Sequence, residues 1–415
     1  MRKTSRMDTC RACKSDRMYC FLELGSQPPA NQFLAREQLS DSEPSFPLNA
    51  YVCFDCALIQ VADQIPSDFF RHYVYMPSVS PALHAHFAAL AATLERRFAG
   101  AAAGRVVDIG CNDGLLLGFC AECGLATLGI EPAANLVEVA RGRGLEVVNE
   151  YFSPGLAHAV RERYGPAGVI VTTNTLNHID DLHAFVEGVT ILLDPSGVLV
   201  IEAPHAVDLV VGNEFDTIYH EHLSEFSVKS LDDLLRFFSM EIFDIERLEI
   251  HGGSMRVYAQ KTSAGRNVSP TVAAWRSREL EAKLFSLETY EAFRDRVRRI
   301  KDELLALLRD LKRQGKRLAG YGAPAKGNCL LNYYGIGPEL LDFLADKNTL
   351  KQGLYSPGMH IPVVSPETIL EAEPDYLLVL AWNFADEILA EQAEYRRRGG
   401  SFILPIPEPR IVGPS

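Results

Sequence analysis

The sequence predicts an α/β protein built in three parts: a small N-terminal unit held by cysteines, a central mostly parallel sheet, and a second α/β unit at the C-terminal end. Two Cys-x-x-Cys pairs, Cys10-Arg11-Ala12-Cys13 and Cys53-Phe54-Asp55-Cys56, lie among turn-forming prolines near the N-terminus. From Arg105 onward, short apolar runs alternate with helical stretches, the pattern of strands and helices in a parallel sheet. The alternation stops at a long charged segment and resumes at Arg317. A chain of 415 residues exceeds what one core usually holds, and the divisions are expected at 1–70, 71–264 and 265–415.

In the first part, Pro28-Pro29, Pro44 and Pro47 separate short apolar pieces that offer little core, so a metal staple is expected in its place. Two thiolates three residues apart fit one tight turn, and two such turns complete a tetrahedral Zn²⁺ shell. Cys10, Cys13, Cys53 and Cys56 are the expected ligands, with Cys20 a spectator. Four sulfurs leave no position for water, so the zinc is expected to be structural. Apolar residues at helical spacing run from Ser80 to Phe98. Strands are expected at Arg105–Ile109, Ala126–Ile130, Gly168–Thr172 and Gly197–Ile201. Two β-like runs, Glu246–Ile250 and Met255–Gln260, flank His251-Gly252-Gly253-Ser254 and read as a hairpin at the sheet's edge. Leu280, Leu284, Leu287, Tyr290, Phe293 and Val297 form an apolar stripe that predicts one helix from Val272 to Gln314, stopped by Gly315. The last part has strand patterns at Arg317–Tyr321, Tyr376–Ala381 and Ser401–Pro405.

Composition narrows the partners. Lys and Arg total 41 against 54 Asp and Glu, a net charge of −13, which argues against nucleic acid because counterion release needs a basic surface. Phosphorylated small molecules need only a local positive site. No run approaches the roughly 18 uninterrupted apolar residues of a membrane span. Met1-Arg2-Lys3-Thr4-Ser5-Arg6 is basic but leads into polar Asp8 and Cys10, so a cytoplasmic protein, acting as a monomer, is expected.

Val106-Val107-Asp108-Ile109-Gly110-Cys111-Asn112-Asp113-Gly114 reads as a strand entering a glycine turn that opens a helix, where backbone can approach a ligand closely. Leu128-Gly129-Ile130-Glu131-Pro132 is a second strand ending in an acid, able to accept hydrogen bonds from both hydroxyls of a ribose. An NAD-type dinucleotide is disfavoured, since Asn112-Asp113 sets a carboxylate where a pyrophosphate would lie, whereas an aminoacyl ammonium suits that acid. The two motifs resemble those of class I methyltransferases, whose Rossmann-like domain binds S-adenosylmethionine (SAM). That resemblance assigns Asp108, Gly110, Asn112, Asp113, Gly114 and Glu131 to the cofactor, places Asn174 near its methionine portion, and sets Phe152 against adenine.

Tyr219-His220-Glu221-His222, within Asn213–Ser224, is a run that few structural roles require. As metal ligands, His220 and His222 lack an obvious third partner. Proton chemistry fits better. Methylating carbon requires loss of a C–H proton made acidic by a neighbouring ketone, and imidazole is a base of suitable strength. The enolate oxygen then needs hydrogen-bond donors, which Tyr219, His222 and His178 supply.

Gly320-Tyr321-Gly322-Ala323-Pro324-Ala325-Lys326-Gly327-Asn328 again has the form strand, glycine turn, helix start. Its N–H groups and Lys326 suit a diphosphate, and a buried structural turn is the alternative. With the cysteine pairs, the Asp108 turn and the Tyr219–His222 run, this segment resembles bacterial sugar C-methyltransferases along essentially the whole chain. Members of that family act on 4-keto-6-deoxy sugar nucleotides to make branched deoxysugars. The resemblance implies that His222 is the base beside the C4 ketone, that Tyr219 and Glu221 position or polarise, and that His178 stabilises the enolate. It implies that Tyr73 or Tyr75 reaches the site from the first part, although Tyr75-Met76-Pro77-Ser78 departs from the family's Tyr-x-Ser-Ser. A TDP-linked sugar, methylated at C3 in preference to C5, is expected between the second and third parts, where Gly322, Lys326, Asn328 and Asn383 would meet it. An O- or N-methyltransferase on another small metabolite is the competing reading, and it explains neither the histidines nor the last part.

Overall fold

The computed structural model describes residues 8–62, 78, 81–98, 100, 104–250 and 252–414, which form three sheets. The first part contributes β1 (Met18–Gln27), β2 (Phe46–Cys53) and β3 (Ile59–Val61). Next come β4 (Arg105–Ile109), β5 (Thr127–Ile130), β6 (Val147–Val148), β7 (Ala167–Thr173), β8 (Leu193–Pro204), β9 (Ser224–Glu225), β10 (Met240–Leu248) and β11 (Ser254–Lys261). The last part supplies β12 (Leu318–Tyr321), β13 (Leu344–Ala345), β14 (Val363–Val364), β15 (Tyr376–Val379), β16 (Ser401–Leu404) and β17 (Arg410–Val412).

In the central sheet the order is β10-β11-β8-β7-β4-β5-β6. β4 to β8 are parallel, and the β10–β11 hairpin closes the edge antiparallel to β8. Val106, Val107, Val169, Ile170 and Val171 are buried, as strands covered on both faces must be. The chain winds outward through β5 and β6, then returns beside β4 as β7. The carboxyl ends of β4 and β7 therefore open the crevice where such sheets bind ligands. The third sheet repeats the plan as β14-β13-β12-β15-β16-β17, parallel except for β17, and reverses between β12 and β15. Strands alternating with helices around a parallel sheet are thus found in both places the sequence predicts them.

The antiparallel sheet β1-β2-β3-β9 recruits a strand from elsewhere in the chain. β9 lies far from β3 in sequence, yet Ile59 pairs with Glu225 and Gln60 with Ser224.

One expectation is corrected. The segment from Val272 to Gln314 is two helices, Pro270–Glu281 and Leu287–Arg313. The first ends where Lys283 adopts φ 53° and Leu284 N–H donates to the Glu279 carbonyl, a closing turn that satisfies the last carbonyls. The turn buries Leu284 and Tyr290, whose hydroxyl donates to the Leu284 carbonyl at 2.8 Å. Leu280 and Leu287, placed on the stripe by helical spacing, stay 66% and 38% exposed. The second helix packs Phe293, Val297, Ile300, Leu304 and Leu308 into a core shared with Phe21 and Leu48 of the first part and Leu318 and Leu330 of the last. Among the described residues, no helix is long and apolar enough to cross a membrane.

Leu308 is fully buried in that shared core. Leu308→Ala is expected to lower stability by about 2–5 kcal/mol, read from denaturant unfolding. A loss well under 1 kcal/mol would show that this helix does not brace the molecule.

Candidate active site

The two Cys-x-x-Cys turns close alike. Lys14 N–H donates to the Cys10 carbonyl at 3.0 Å and Ala57 N–H to the Cys53 carbonyl at 2.7 Å. The four Sγ atoms lie within 4.8 Å of one another, with Cys10–Cys56 and Cys13–Cys53 both at 3.5 Å. A tetrahedral zinc with Zn–S near 2.3 Å sets its sulfurs about 3.8 Å apart, so spacing and donor set fit a closed structural site. Cys20, on β1, is outside the cluster.

At the central crevice β4 delivers Asp108. The chain then turns at Gly110 (φ +78°) and Asn112 (φ 52°) into the helix Leu115–Glu122, which Gly114 caps. A Cβ on Gly110 would lie 2.3 Å from the Thr175 hydroxyl oxygen, so only glycine fits. Glu131, ending β5, accepts the N–H groups of Asn112 and Ala133, each at 2.9 Å, and thereby fastens the glycine turn. Asp113 is wholly buried, and Arg143 donates to its carbonyl at 2.9 Å. Asn174 follows β7 at φ 51°, its N–H donating to the Glu202 carbonyl at 2.8 Å. Burial, then the Glu131 and Glu202 carboxylates, push Asp108 up to about 8, and burial raises Glu131 as well. The buried Oδ1 atoms of Asp108 and Asp113 have no hydrogen-bond partner among the described residues. An acid-rich crevice with unmet acceptors suits a ligand that brings positive charge and donors, as SAM does. Phe152 instead packs edge-on against Phe185, with centroids 5.3 Å apart, beside Gly188 in the core.

His178 sits on the turn Leu176–His178 after β7, and His222 lies two residues before β9. Their rings meet edge to face at 4.9 Å, and the Tyr219 ring lies 4.2 Å from His222 at 31°. His222 Nδ1 is 3.1 Å from Glu225 Oε1, and Asn177 donates to Glu225 Oε2 at 3.4 Å. Burial lowers His222 to about 3, opposed by a hydrogen bond with the Thr217 backbone and assisted by the Lys326 ammonium. Burial and the neighbouring His222 lower His178 to about 3, opposed by a hydrogen bond with the Glu221 backbone. Both are therefore neutral imidazoles near pH 7. Burial holds Glu225 well above the ordinary carboxylate range. His222 still keeps 18% of its side-chain surface open, room for a substrate atom to approach. His220 points elsewhere, its Nε2 lying 3.2 and 3.1 Å from the Phe46 and Pro47 carbonyls of β2. Glu221 accepts the Asn31 amide at 2.9 Å on both oxygens. Tyr73 and Tyr75 lie outside the described residues.

Across the junction, Lys326 is half-buried, its Nζ 3.8 Å above the Trp382 ring. Trp382 Nε1–H donates to Asp216 at 2.7 Å. Burial lowers Lys326 to about 8 against the pull of Asp216 and Glu214, and burial raises those acids to about 6 and about 8. The ammonium of this glycine turn is thus already matched with acids from the central part. Asn328 Nδ2 donates to the Ala30 carbonyl at 2.8 Å. Gly322, at φ +83°, passes so close to Ala381 that a Cβ would lie 3.1 Å from its methyl. Asn383 follows in the turn Trp382–Phe384, its buried Oδ1 without a hydrogen-bond partner among the described residues.

Sequence reasoning does not reach Glu225, Asn31 or Asp216. The one signal was an acid three residues after His222, a spacing too common to single out. Asn31 and Asp216 act across the fold and leave no local pattern.

Gly110→Ala is expected to weaken SAM binding at least about tenfold, a cost of roughly 1.4 kcal/mol, by calorimetric titration. An unchanged Kd would place the cofactor elsewhere.

Three family models match in order: "Putative zinc binding domain" over residues 10–70, "Methyltransferase domain" over 82–239 and "C-methyltransferase C-terminal domain" over 249–407. The chain is 36% identical over 407 residues to C-methyltransferase NovU of Streptomyces niveus, covering 98% of this chain and 97% of that one. A Ubiquinone biosynthesis O-methyltransferase of Xanthomonas oryzae pv. oryzae is 34% identical over 121 residues, 28% of this chain and 51% of its own. Among solved structures, a SAM-dependent methyltransferase from Anabaena variabilis covers 41% of this chain and 83% of its own, with TM-score 0.35 and 14% identity. Magnesium protoporphyrin IX methyltransferase from Synechocystis with bound SAH covers 42% of this chain and 82% of its own, with TM-score 0.34 and 16% identity. The full-length likeness and the three models in sequence decide the matter: this chain belongs to the family of SAM-dependent C-methyltransferases built from zinc-binding, methyltransferase and C-terminal domains.

Proposed function

We propose that the protein methylates the carbon beside the C4 ketone of a TDP-linked 4-keto-6-deoxy sugar, C3 in preference to C5. The observation that carries this reading is the His222 imidazole, stacked on Tyr219, edge to face with His178, and held at Nδ1 by Glu225. Atoms already nucleophilic, as in O- or N-methylation, often need only one base and do not call for the second histidine.

With Glu225 ionised, Oε1 accepts the Nδ1–H of His222 and the ring's lone pair sits on Nε2, the nitrogen that takes the substrate's C–H proton. Tyr219 and His178 donate toward the enolate oxygen. Asp108, Gly110, Asn112, Asp113, Gly114, Glu131 and Asn174 would hold SAM, whose sulfonium would supply the methyl group to the enolate carbon and depart as the thioether. Glu221 is a positioning group fixed by Asn31. We assign zinc binding to 1–70, SAM binding to 71–264, and the face presented to the nucleotide sugar to 265–415, where Gly322, Lys326, Asn328 and Asn383 lie.

His222→Ala is expected to lower kcat by about 10²–10⁴-fold while leaving SAM affinity unchanged. It should also end deuterium uptake from solvent at the carbon next to the ketone. A variant that keeps most of its kcat, or a product whose new methyl group sits on oxygen or nitrogen, overturns the reading.

The pH dependence follows from Glu225. Below its raised pKa the carboxyl holds the proton, His222 Nδ1 becomes the acceptor, and Nε2 carries the ring hydrogen and is no base. His222 itself titrates near 3, too low to set the limb. The rate is therefore expected to rise with pH through an apparent pKa above the usual value of about 4.3 for glutamate. Glu225→Gln should remove that limb together with most of the activity. An identical limb in this variant would assign it to another group.

A further inference from the structure

We propose that Arg11, inside the first Cys-x-x-Cys turn, is a positioning residue that transmits the order of the zinc centre to the two loops carrying His178 and His222. This rests on the catalytic reading of those histidines.

The Arg11 side chain is fully buried and its planar fork spans the junction. Nε donates to Asp180 Oδ1 at 3.1 Å, two residues beyond His178. Nη1 donates to the Val61 carbonyl at 2.6 Å and to the Leu223 carbonyl at 3.2 Å, the latter adjoining His222. Leu223 accepts Val61 N–H at 3.1 Å through the same oxygen, so β3, the guanidinium and the His222 loop converge on one carbonyl. Arg11 N–H donates to Gln60 Oε1 at 3.1 Å, and Gln60 is the β3 residue paired with Ser224.

Both metal-binding turns touch the same side of the central part. The Ala12 carbonyl lies 2.8 Å from His183 Nε2, and the Cys56 carbonyl accepts the Ser227 hydroxyl at 2.7 Å. A guanidinium presents donors in fixed directions, which lets one side chain hold two loops in one mutual geometry; an ammonium is a point charge and does not. The zinc fixes the turn, the turn fixes the guanidinium, and the guanidinium fixes the spacing of the two imidazoles. A purely structural arginine would fill the same space and support folding without setting that spacing.

Arg11→Lys and Arg11→Met in the full-length, zinc-loaded protein separate these roles. Four quantities are measured: bound zinc, SAM Kd, the ¹⁵N–¹H ring signals of His178 and His222, and steady-state kinetics. Zinc content and Kd are expected to stay at wild-type values while both ring signals move. With the imidazoles displaced by a fraction of an ångström to an ångström, kcat is expected to fall about 10–100-fold, with KM changing less. Arg11→Lys retains the charge and serves if Arg11→Met does not fold, and free guanidinium should restore part of kcat in Arg11→Ala. Unmoved ring signals with kcat within about twofold of wild type would reduce Arg11 to packing and overturn the proposal. Loss of zinc in step with kcat would overturn it too, because Arg11 would then serve the metal site. Failure of the catalytic reading is seen separately, in a His222→Ala variant that still transfers methyl groups, and the ring signals then judge the coupling alone.

Discussion

The first part enters the central part through a pairing only two residues long. Ile59 with Glu225 and Gln60 with Ser224 insert β9 into the sheet of the first part, two residues after His222. Backbone hydrogen bonds of this kind contribute about 1 kcal/mol each, so the pairing persists because of what is packed around it. Leu58, Cys10 and Cys53 share one core with Phe226, Val228 and Ile109 of the central part. Phe21, Leu22 and Leu48 share another with the helix Leu287–Arg313. The first part has little interior of its own and lends each face to a neighbour. Zinc provides the folding energy that a larger core would otherwise supply.

The two sheet reversals hold buried charge in opposite states. At the central reversal burial, then the Glu131 and Glu202 carboxylates, push Asp108 upward, while Glu202 itself is met by Arg256 at 2.6 Å and His86 at 2.8 Å. At the C-terminal reversal the Lys326 ammonium already faces Asp216 and Glu214. A cationic cofactor lowers the free energy of the first site on binding. A diphosphate at the second would have to compete with acids already in place. The difference is local, within a chain whose net charge is −13.

Much of the fold was legible because it is local. Parallel-strand runs such as Arg105–Ile109 are apolar without alternation, and glycine turns follow them where a Cβ would collide, as at Gly110 against Thr175. Cys-x-x-Cys spacing reports a metal turn for the same reason. The break at Lys283 was hidden because nothing in Leu280–Leu287 forbids a helix; burial of Leu284 and Tyr290 decides it, a tertiary effect that helical periodicity does not contain. The histidines stood out by composition, yet the groups that act on them did not. Glu225, Asn31 and Arg11 come from three places in the chain and reach His222, Glu221 and the Leu223 carbonyl only in the folded chain.

Burial sets the difficulty that the site must solve. An imidazole lowered to about 3 is a feeble base toward a carbon acid, and it would remain so in an apolar pocket. What changes during the reaction is the charge beside it. In the proposed reaction an enolate would form next to His222 with Glu225, once ionised, at Nδ1, and both negative charges would favour the imidazolium far more in a dry site than in water. The resting pKa therefore understates the basicity available at the transition state. In the proposed reaction the burial that lowers His222 in the free protein would thus also strengthen its attraction to the enolate.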